Sequence, residues 1–372
     1  MTERNFFSGI YKGKNVLITG HTGFKGSWLA LWLKELGATV YGYALEPNTD
    51  PSLFKVLDLE KKIDRHIVGD IRDCAGLVSI FNKFRPEIVF HLAAQPLVRL
   101  SYREPVHTYE TNVMGTVHVL DAARLCKTVK SMVIITSDKC YENREWVYGY
   151  RENEAMGGYD PYSSSKGCSE LVTAAYRNSF FNTHEYGKSH GTAVASARAG
   201  NVIGGGDWAE DRLVPDCIRA FSIGEALEIR SPFAVRPWQH VLEPLSGYLW
   251  LGAMLYEKGC VYADGWNFGP EDSSVVCVEE IIKDMISLWG GGEYEITSDT
   301  QPHEARLLKL DVSKARYHIN WHPVYDIKET LRATVQWYRA FYDGIDRMYD
   351  YTINQIQAYA DAAREAGLPW SR

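Results

Sequence analysis

The stretch NVLITGHTGFKGSWLALWLKELG, residues 15–37, decides the fold because it joins a β-favouring run, a glycine turn and a helix. The helical part, Ser27–Leu36, carries apolar residues at helical spacing. Gly20, Gly23 and Gly26 recur at every third position of the turn. Their lack of side chains lets the backbone approach a pyrophosphate, which would lie at the helix N-terminus. The stretch predicts a dinucleotide site; a tight turn that merely needs small residues is the alternative.

The first two hundred residues continue this pattern, alternating β-rich runs with helical stretches such as 105–126 and 163–181. We predict an α/β fold with a Rossmann-like, doubly wound parallel sheet and a smaller, mixed C-terminal substrate-binding lobe. The NAD-binding domain would span residues 1–200, with returning segments near 236–270, and the lobe mainly 201–372. The predicted strands are Asn15–Thr19, Thr39–Ala44, His66–Val68, Ile88–Leu92, Ser131–Thr136 and Thr192–Ala197.

Composition narrows the class of protein without naming it. Across 372 residues the formal charge is -7, so the chain lacks the basic character of a nucleic-acid-binding surface. No apolar run approaches the roughly 18 residues of a membrane span, and the first residues lack the apolar region of a signal peptide. The seven cysteines include no C-x-x-C pair, which fits a reducing compartment and no structural zinc site. We expect a cytoplasmic protein that needs no metal.

The end of the second predicted strand bears on the choice of cofactor. A dinucleotide fold usually places an acid there to bind the adenine ribose, but the only early carboxylate, Glu46, lies slightly beyond that place. Residues 41–54 contain no Lys or Arg that could meet a 2′-phosphate, which favours NAD over NADP. In GDIRD, Asp70 and Ile71 follow a strand, where the carboxylate could accept from an adenine amine or simply end the strand.

The motif YSSSK places Tyr162 and Lys166 four residues apart, on one face of a predicted helix. A phenol has an unperturbed pKa of about 10 and is a poor base near neutrality. A nearby ammonium, together with an oxidised nicotinamide, would lower that pKa and stabilise the phenolate. Tyr162 could then take a proton from a sugar hydroxyl while the carbon loses hydride.

The stretch IITSDKCYEN, residues 134–143, ends a predicted buried strand with Ser137, Asp138 and Lys139. At the carboxyl end of a parallel strand these side chains point into the crevice where such sheets bind ligands. Ser137 could hydrogen-bond the oxygen that Tyr162 deprotonates. Asp138 and Lys139 are then candidates for chemistry beyond oxidation, whereas solvated charge at a strand end is the structural alternative.

The motifs TGHTGFKG, GDIRD, HLAAQ, NVMGT and NVIG, with the Ser–Tyr–Lys set, resemble the extended short-chain dehydrogenase/reductase family across essentially the whole chain. Its sugar-nucleotide 4,6-dehydratase branch follows the catalytic hydroxyl residue with Asp and a second ionisable group, usually Glu. Lys139 departs from that pattern. Together with KCYEN, NVIGGGDW, VPD and RPWQHVLEPLSGYLWL, this departure resembles the members that act on CDP-D-glucose.

The resemblance implies an NAD-dependent lyase that oxidises C4 of the hexose, eliminates water across C5 and C6, and returns the hydride to C6. Asp138 would be the general acid and Lys139 the group that moves the C5 proton, unless water or Tyr141 does so. A nucleotide-sugar 4-epimerase, a dehydratase of dTDP- or GDP-hexoses and a non-catalytic NAD-sensing protein are the alternatives. The product would serve deoxysugar biosynthesis, such as that of lipopolysaccharide O-antigen.

The resemblance also implies ligand contacts and an assembly. The predicted partners are a small-molecule sugar nucleotide and a second copy of the chain, with no nucleic acid or membrane. A homodimer, or a higher homo-oligomer, would form through the helices near 105–126 and 163–181. We expect GGGDW, residues 204–208, to be a mobile turn beside the sugar site. The predicted cofactor-binding residues are Gly20, Thr22, Gly23, Phe24, Gly26, Asp70, Ile71, Leu92, Ala93, Ala94, Tyr162 and Lys166; the substrate-binding residues are Gln95, Asn201, Arg236 and Arg306.

Overall fold

A seven-stranded parallel sheet forms the centre of the computed structural model, which describes residues 5–229, 231–297 and 307–372. The order of its strands is β11-β6-β5-β4-β1-β2-β3, with these bounds for all described strands: β1 (Asn15–Thr19), β2 (Thr39–Ala44), β3 (Arg65–Val68), β4 (Ile88–His91), β5 (Ser131–Ile135), β6 (Ala193–Arg198), β7 (Val202–Ile203), β8 (Ala226–Ile229), β9 (Val235–Pro237), β10 (Gln239–His240), β11 (Gly265–Asn267), β12 (Val275–Cys277) and β13 (Glu293–Ile296). The Rossmann-like fold predicted from the sequence is confirmed.

Helices cover both faces of this sheet. Their bounds are α1 (Phe24–Glu35), α2 (Leu53–Val56), α3 (Leu59–Lys62), α4 (Cys74–Phe84), α5 (Val98–Arg103), α6 (Pro105–Tyr109), α7 (Gly115–Cys126), α8 (Pro161–Ser179), α9 (Leu213–Ile223), α10 (Leu242–Lys258), α11 (Val278–Trp289), α12 (Ser313–Ile319), α13 (Ile327–Tyr342) and α14 (Met348–Glu365). Short 3-10 helices connect several of them.

Alternation along β1 shows why both faces are buried. Val16 and Ile18 belong to the core shared with α1, α10 and the C-terminal helices. Leu17 points the other way, into the core shared with α4, α7 and α8. Successive strand side chains point to opposite faces, so a strand covered on both sides reads as a continuous apolar run.

The sequence located the elements of the first two hundred residues closely. The bounds of β1 and β2 are those predicted, and the other four predicted strands differ by a residue at their ends. Residues 105–126 form α6, a π-helical turn at Glu110–Met114 and α7. Helix α8 begins earlier than its apolar pattern, at Pro161, because the Asp160 carboxylate accepts the backbone N–H of Ser163 at 2.9 Å and caps it.

Beyond β6 the chain builds small two-stranded sheets and the helices α9–α14. It also returns to the central sheet, where β11 pairs with β6 as the seventh strand. The division into an NAD-binding domain and a substrate lobe stays a prediction. In the part of the chain that the structure describes, no helix is long and apolar enough to span a bilayer.

Candidate active site

The glycine turn between β1 and α1 leaves room for a ligand backbone. Gly20 has a φ of +79°, and a Cβ there would lie 2.6 Å from the Ala93 backbone nitrogen. A Cβ on Gly26 would lie 2.1 Å from the Gly20 carbonyl oxygen. Gly23 is the exposed N-cap of α1, and no side chain caps this helix end. The turn therefore offers uncovered N–H groups to a dinucleotide pyrophosphate.

Five other residues predicted to bind the cofactor differ in their contacts and burial. The Thr22 hydroxyl donates to the Leu45 carbonyl at 2.8 Å, just past β2. Phe24, Leu92, Ala93 and Ala94 are half-buried. We regard all of them as predictions that the geometry permits.

Asp70 and Ile71, the residues predicted to face the adenine, have partners within the protein. The Arg72 guanidinium donates to the Asp70 carboxylate at 2.6 Å and lowers its pKa. Ile71 is buried, and a Cβ on Gly115 would lie 2.4 Å from its Cδ1 atom. Asp70 can still accept a further hydrogen bond, since a carboxylate has about four lone-pair sites.

Ser137 and Asp138 stand directly beyond the carboxyl end of β5. Ser137 is the N-cap of a short 3-10 helix, Asp138–Cys140, and its hydroxyl donates to Oδ1 of Asp138 at 2.9 Å. The Lys139 backbone N–H donates to the same oxygen at 2.9 Å. Gly200 leaves the space for the other oxygen, because a Cβ there would lie 2.1 Å from Oδ2.

Helix α8 brings Tyr162 and Lys166 to this strand end. The Tyr162 phenol is 9% exposed, and the Ser137 side chain is near enough to lower its pKa. The Lys166 Nζ atom donates to the Ile135 carbonyl at 3.5 Å. The structure therefore brings Ser137, Asp138, Tyr162 and Lys166 together, as the sequence predicted for side chains at one sheet edge.

The electrostatics of Tyr162 differ from the expectation that Lys166 lowers its pKa. Burial raises the pKa of Tyr162 to about 12, while the Ser137 hydrogen bond and the Arg212 charge oppose this rise. Burial lowers the pKa of Lys166 to about 8, opposed by Glu170 and Cys140. Lys166 donates to the Ile135 carbonyl at the end of β5, and Arg212 is a cation with a large influence on the pKa of Tyr162.

Lys139 and Tyr141, the two side chains considered for the C5 proton, have different surroundings. Lys139 is half-buried, and no hydrogen bond or ion pair within the described ranges engages its ammonium. Tyr141 is buried, donates its hydroxyl to Oδ1 of Asn267 at 2.8 Å and accepts from Arg198. The Tyr141 hydroxyl is thus bonded to other buried side chains, so Lys139 is the better candidate for moving the C5 proton.

The predicted substrate residues are less well supported. Gln95 is buried; its amide donates to the Thr108 hydroxyl at 2.9 Å and accepts from the Leu97 backbone at 2.5 Å. Each end of the amide thus has one partner within the protein, and the substrate contact of Gln95 stays a prediction. Asn201 is half-buried beside Gly200.

Two predicted arginines complete the substrate set. Arg236 is half-buried on β9 and donates to the Val235 carbonyl at 3.0 Å. The neighbouring strand β10 reaches the site, since the Gln239 amide donates to the Gly200 carbonyl at 3.1 Å. Arg306 lies outside the described residues.

The structure adds residues that sequence reasoning missed. The Arg212 guanidinium donates to the buried Asp207 carboxylate at 2.7 Å. Lys25 lies among them: burial and the charges of Arg212 and Lys166 lower its pKa to about 8, while Asp138 and Asp207 oppose this. A lysine inside the glycine turn was the one visible clue, whereas Asp207 and Arg212 carried none.

The segment GGGDW, residues 204–208, is a packed turn rather than the mobile one we expected. All five residues are buried. The Trp28 indole donates to the Gly205 carbonyl at 3.0 Å, and a Cβ on Gly205 would lie 2.0 Å from the Trp337 ring. This packing fixes Asp207 beside the crevice.

His91 is a packed strand residue at the end of β4. It is buried, and its ring is bonded to the hydroxyls of Thr19 at 2.7 Å and Thr116 at 3.3 Å.

A dinucleotide-type parallel sheet with a Ser–Tyr–Lys set at its carboxyl edge defines a short-chain dehydrogenase/reductase. Within this class, the family model described as GDP-mannose 4,6 dehydratase matches residues 17–334. The chain belongs to this family of sugar-nucleotide dehydratases.

Individual proteins similar to this chain fall in the same group. The chain is 55% identical over 349 residues to the CDP-glucose 4,6-dehydratase of Salmonella typhimurium, covering 94% of this chain and 96% of that protein. It is 26% identical to the dTDP-glucose 4,6-dehydratase of Shigella flexneri, with coverage of 87% and 92%. The solved dTDP-glucose 4,6-dehydratase of Streptomyces venezuelae has a TM-score of 0.73 at 23% identity, covering 87% and 96%, and shares the fold.

Proposed function

We propose that this chain is an NAD-dependent lyase that converts CDP-D-glucose to CDP-4-keto-6-deoxy-D-glucose. The observation that carries the proposal is the contact of Ser137 with both Tyr162 and Asp138. A group suited to sugar oxidation thus adjoins an acid suited to elimination. The choice of CDP-glucose rests on the 55% identity to the Salmonella typhimurium enzyme.

NAD fits the cradle formed by Gly20, Gly23 and Gly26 at the N-terminus of α1. Bound there, NAD would accept the hydride from C4 and return it at C6. We propose that Asp70 and Ile71 face the adenine and that Tyr162 and Lys166 lie at the nicotinamide end. Residues 41–54 carry no Lys or Arg, which favours NAD over NADP.

Tyr162 is the proposed base for the C4 hydroxyl, and Ser137 hydrogen-bonds the same sugar oxygen. The raised pKa of Tyr162 makes the isolated phenol a weak proton acceptor, since burial opposes the phenolate. The positive charges of Lys166, Arg212 and an oxidised nicotinamide would favour the phenolate once substrate and cofactor are bound.

Asp138 and Lys139 are the proposed pair for loss of water. The C5 proton becomes acidic once C4 is a ketone, and Lys139 removes it. Asp138, in its acid form, gives its proton to the C6 hydroxyl, which leaves as water. When the hydride adds to C6, Lys139 returns a proton to C5. Since both residues follow β5 directly, they share the placement of Ser137 and act on carbons next to the one that Tyr162 oxidises.

Asn201, Arg236 and Arg306 are proposed to hold the nucleotide diphosphate. A guanidinium fork suits phosphate oxygens.

The working form is proposed to be a cytoplasmic homodimer that supplies deoxysugars, such as those of lipopolysaccharide O-antigen. Its contact would use α6, α7 and α8. Exposed apolar side chains on these helices and the π turn support that face: Val106, Tyr109, Met114, Leu125 and Leu171.

The decisive experiment offers CDP-, dTDP-, UDP- and GDP-glucose to the purified enzyme with and without NAD. We expect a 4-keto-6-deoxy product from CDP-glucose. An inverted sugar would instead indicate a 4-epimerase, and turnover of dTDP-glucose alone would correct the nucleobase. Tyr162→Phe should lower the rate by about 10²- to 10⁴-fold, the usual size of a general-base contribution. Full activity in that variant would overturn the proposed chemistry.

A further inference from the structure

A buried carboxylate with no place in the proposed chemistry lies one helical turn beyond Lys166. Glu170 on α8 is 4% exposed. Its carboxylate accepts from the Ser196 hydroxyl at 2.6 Å, from Nη2 of Arg198 at 2.8 Å and from the Thr136 hydroxyl. Burial alone would raise the pKa of Glu170, but Arg198 and the hydroxyl donors hold it below its usual value.

Arg198, at the end of β6, carries the other charge of this ion pair. Its Nη1 atom donates to the Tyr141 hydroxyl at 2.5 Å, and the guanidinium lies over the Tyr141 ring, 5.0 Å from its centroid. Gly265 makes room for it, because a Cβ there would lie 2.5 Å from Nη2. The Tyr141 hydroxyl in turn donates to Asn267 on β11.

The two residues of this ion pair bond to the two residues that flank the catalytic segment, residues 137–140. Thr136 immediately precedes Ser137, and Tyr141 immediately follows the 3-10 helix that contains Asp138 and Lys139. Thr136 is bonded to Glu170, and Tyr141 is bonded to Arg198. The segment is therefore fastened on both sides to one buried pair.

We propose that the Glu170–Arg198 ion pair is a positioning unit that sets Asp138 and Lys139 relative to the sugar, acting through Thr136 and Tyr141. This inference rests on the proposed function and names residues that would serve its elimination step. Between these ends, the hydrogen bonds described for the Asp138 carboxylate and the Lys139 backbone N–H stay within the segment, while the Cys140 carbonyl accepts from the Gly157 backbone N–H at 2.8 Å. The positions of Thr136 and Tyr141 therefore set the positions of the Asp138 carboxylate and the Lys139 ammonium.

A need for stability alone does not explain the pair. Replacing a buried ion pair by well-packed apolar groups is often neutral or stabilising, because two charges must be desolvated. Besides Ser196 and the Glu152 carbonyl, the pair bonds Thr136 and Tyr141, the two residues that flank the catalytic segment. Tyr162 and Lys166 are carried by α8 and would keep their places if the segment loosened. Loosening should therefore slow elimination more than oxidation.

The test removes the links and leaves the charges in place. Thr136→Val and Tyr141→Phe each delete one hydroxyl, and Thr136→Ser restores the first. Oxidation is followed by the absorbance of transient reduced cofactor, and elimination by solvent-deuterium exchange at C5 and by keto-sugar formation. We expect the rate of elimination to fall about 10- to 100-fold, the size of loss that a small misplacement of a catalytic group causes. Oxidation should stay within about threefold, and Thr136→Ser should recover elimination.

Matched controls delete buried hydroxyls that lie outside this network. Thr192→Val removes a 2.7 Å bond to the Val129 carbonyl, and Tyr11→Phe removes a 2.5 Å bond to the Leu249 carbonyl. Both controls should lose some thermal stability and keep the wild-type ratio of elimination to oxidation.

The possible outcomes separate the positioning role from the proposed function. If Thr136→Val and Tyr141→Phe lower both steps equally, or leave the ratio unchanged, the positioning role is wrong even though the wild type is a dehydratase. The same holds if the controls shift the ratio as far. A wild-type enzyme that forms no keto sugar would instead overturn the proposed function, and this inference with it.

Discussion

The hydroxyl of Ser137 donates to Oδ1 of Asp138 at 2.9 Å, and the Ser137 side chain also opposes the rise that burial causes in the pKa of Tyr162. The proposed base for oxidation and the proposed acid for water loss therefore share one small side chain. Oxidation would release a proton at Tyr162, near the serine whose hydroxyl donates to the Asp138 carboxylate. A single serine links the two halves of the reaction.

Ser137→Ala should impair both steps, because it removes a partner of Tyr162 and a partner of Asp138 at once. We expect reduced-cofactor formation and keto-sugar formation each to fall by about 10- to 100-fold, in the range of a lost catalytic hydrogen bond. Ser137→Thr keeps the hydroxyl and should recover most of the loss. An alanine variant that slows only one step would show that Ser137 serves one partner alone.

Gly200→Ala should displace Asp138, because the added Cβ would lie 2.1 Å from its Oδ2 atom. A shift of about 1 Å in a catalytic group can cost about 10²-fold in rate. Keto-sugar formation should fall by that order, while transient reduced cofactor still forms. Gly191→Ala is the matched control, since a Cβ there would meet nothing within 4 Å. Normal turnover by Gly200→Ala would count against Asp138 as the acid.

Lys166→Met should raise stability while it lowers activity. The pKa of Lys166 is about 8 in the folded protein, against 10.5 for a freely hydrated lysine, because burial opposes its charge. At pH 7 the buried ammonium of Lys166 therefore destabilises the folded protein, whereas water hydrates it in the unfolded chain. Between pH 8 and 10.5 the unfolded chain binds the proton and the folded one releases it, so the stability of the wild type rises with pH.

The measurement is denaturant unfolding of both proteins across this pH range. At pH 7 Lys166→Met should gain about 3 kcal/mol in the free energy of unfolding, and the gain should disappear toward pH 10.5. Lys12→Met, which alters an exposed lysine, should show no such trend. A Lys166→Met variant that is less stable than the wild type at pH 7 would contradict the assigned burial cost.

The sequence predicted the sheet well because buried parallel strands such as β1 and β5 leave uninterrupted apolar runs. The location of the crevice could also be predicted, because residues that follow parallel strands lie at the same, carboxyl edge of the sheet. Contacts between side chains could not be predicted as well. Nothing local in the sequence reveals that Glu170 pairs with Arg198, or that the amide of Gln95 is spent on Thr108, because those contacts form between distant segments after packing.

The departures at Lys25 and Tyr162 have a physical cause as well. A sequence shows which charges exist but not how deeply they are buried, and burial is the largest influence on the pKa of both residues. The spacing of Tyr162 and Lys166 suggested a direct electrostatic effect. Lys166 instead reaches the Ile135 carbonyl, which no helical spacing could indicate.

Lys139→Met provides the sharpest test of the elimination step. Removal of the amine should abolish solvent-deuterium exchange at C5, lowering it by at least about 10²-fold as expected for a lost general base. Transient reduced cofactor should still appear, because Tyr162 and Lys166 are unchanged on α8. Lys130→Met, at the amino end of the same strand and exposed, should leave both measurements at their wild-type values. Since the Tyr141 hydroxyl is held by Arg198 and Asn267, C5 exchange at the wild-type rate in Lys139→Met would point to a water molecule as the base and remove Lys139 from the chemistry.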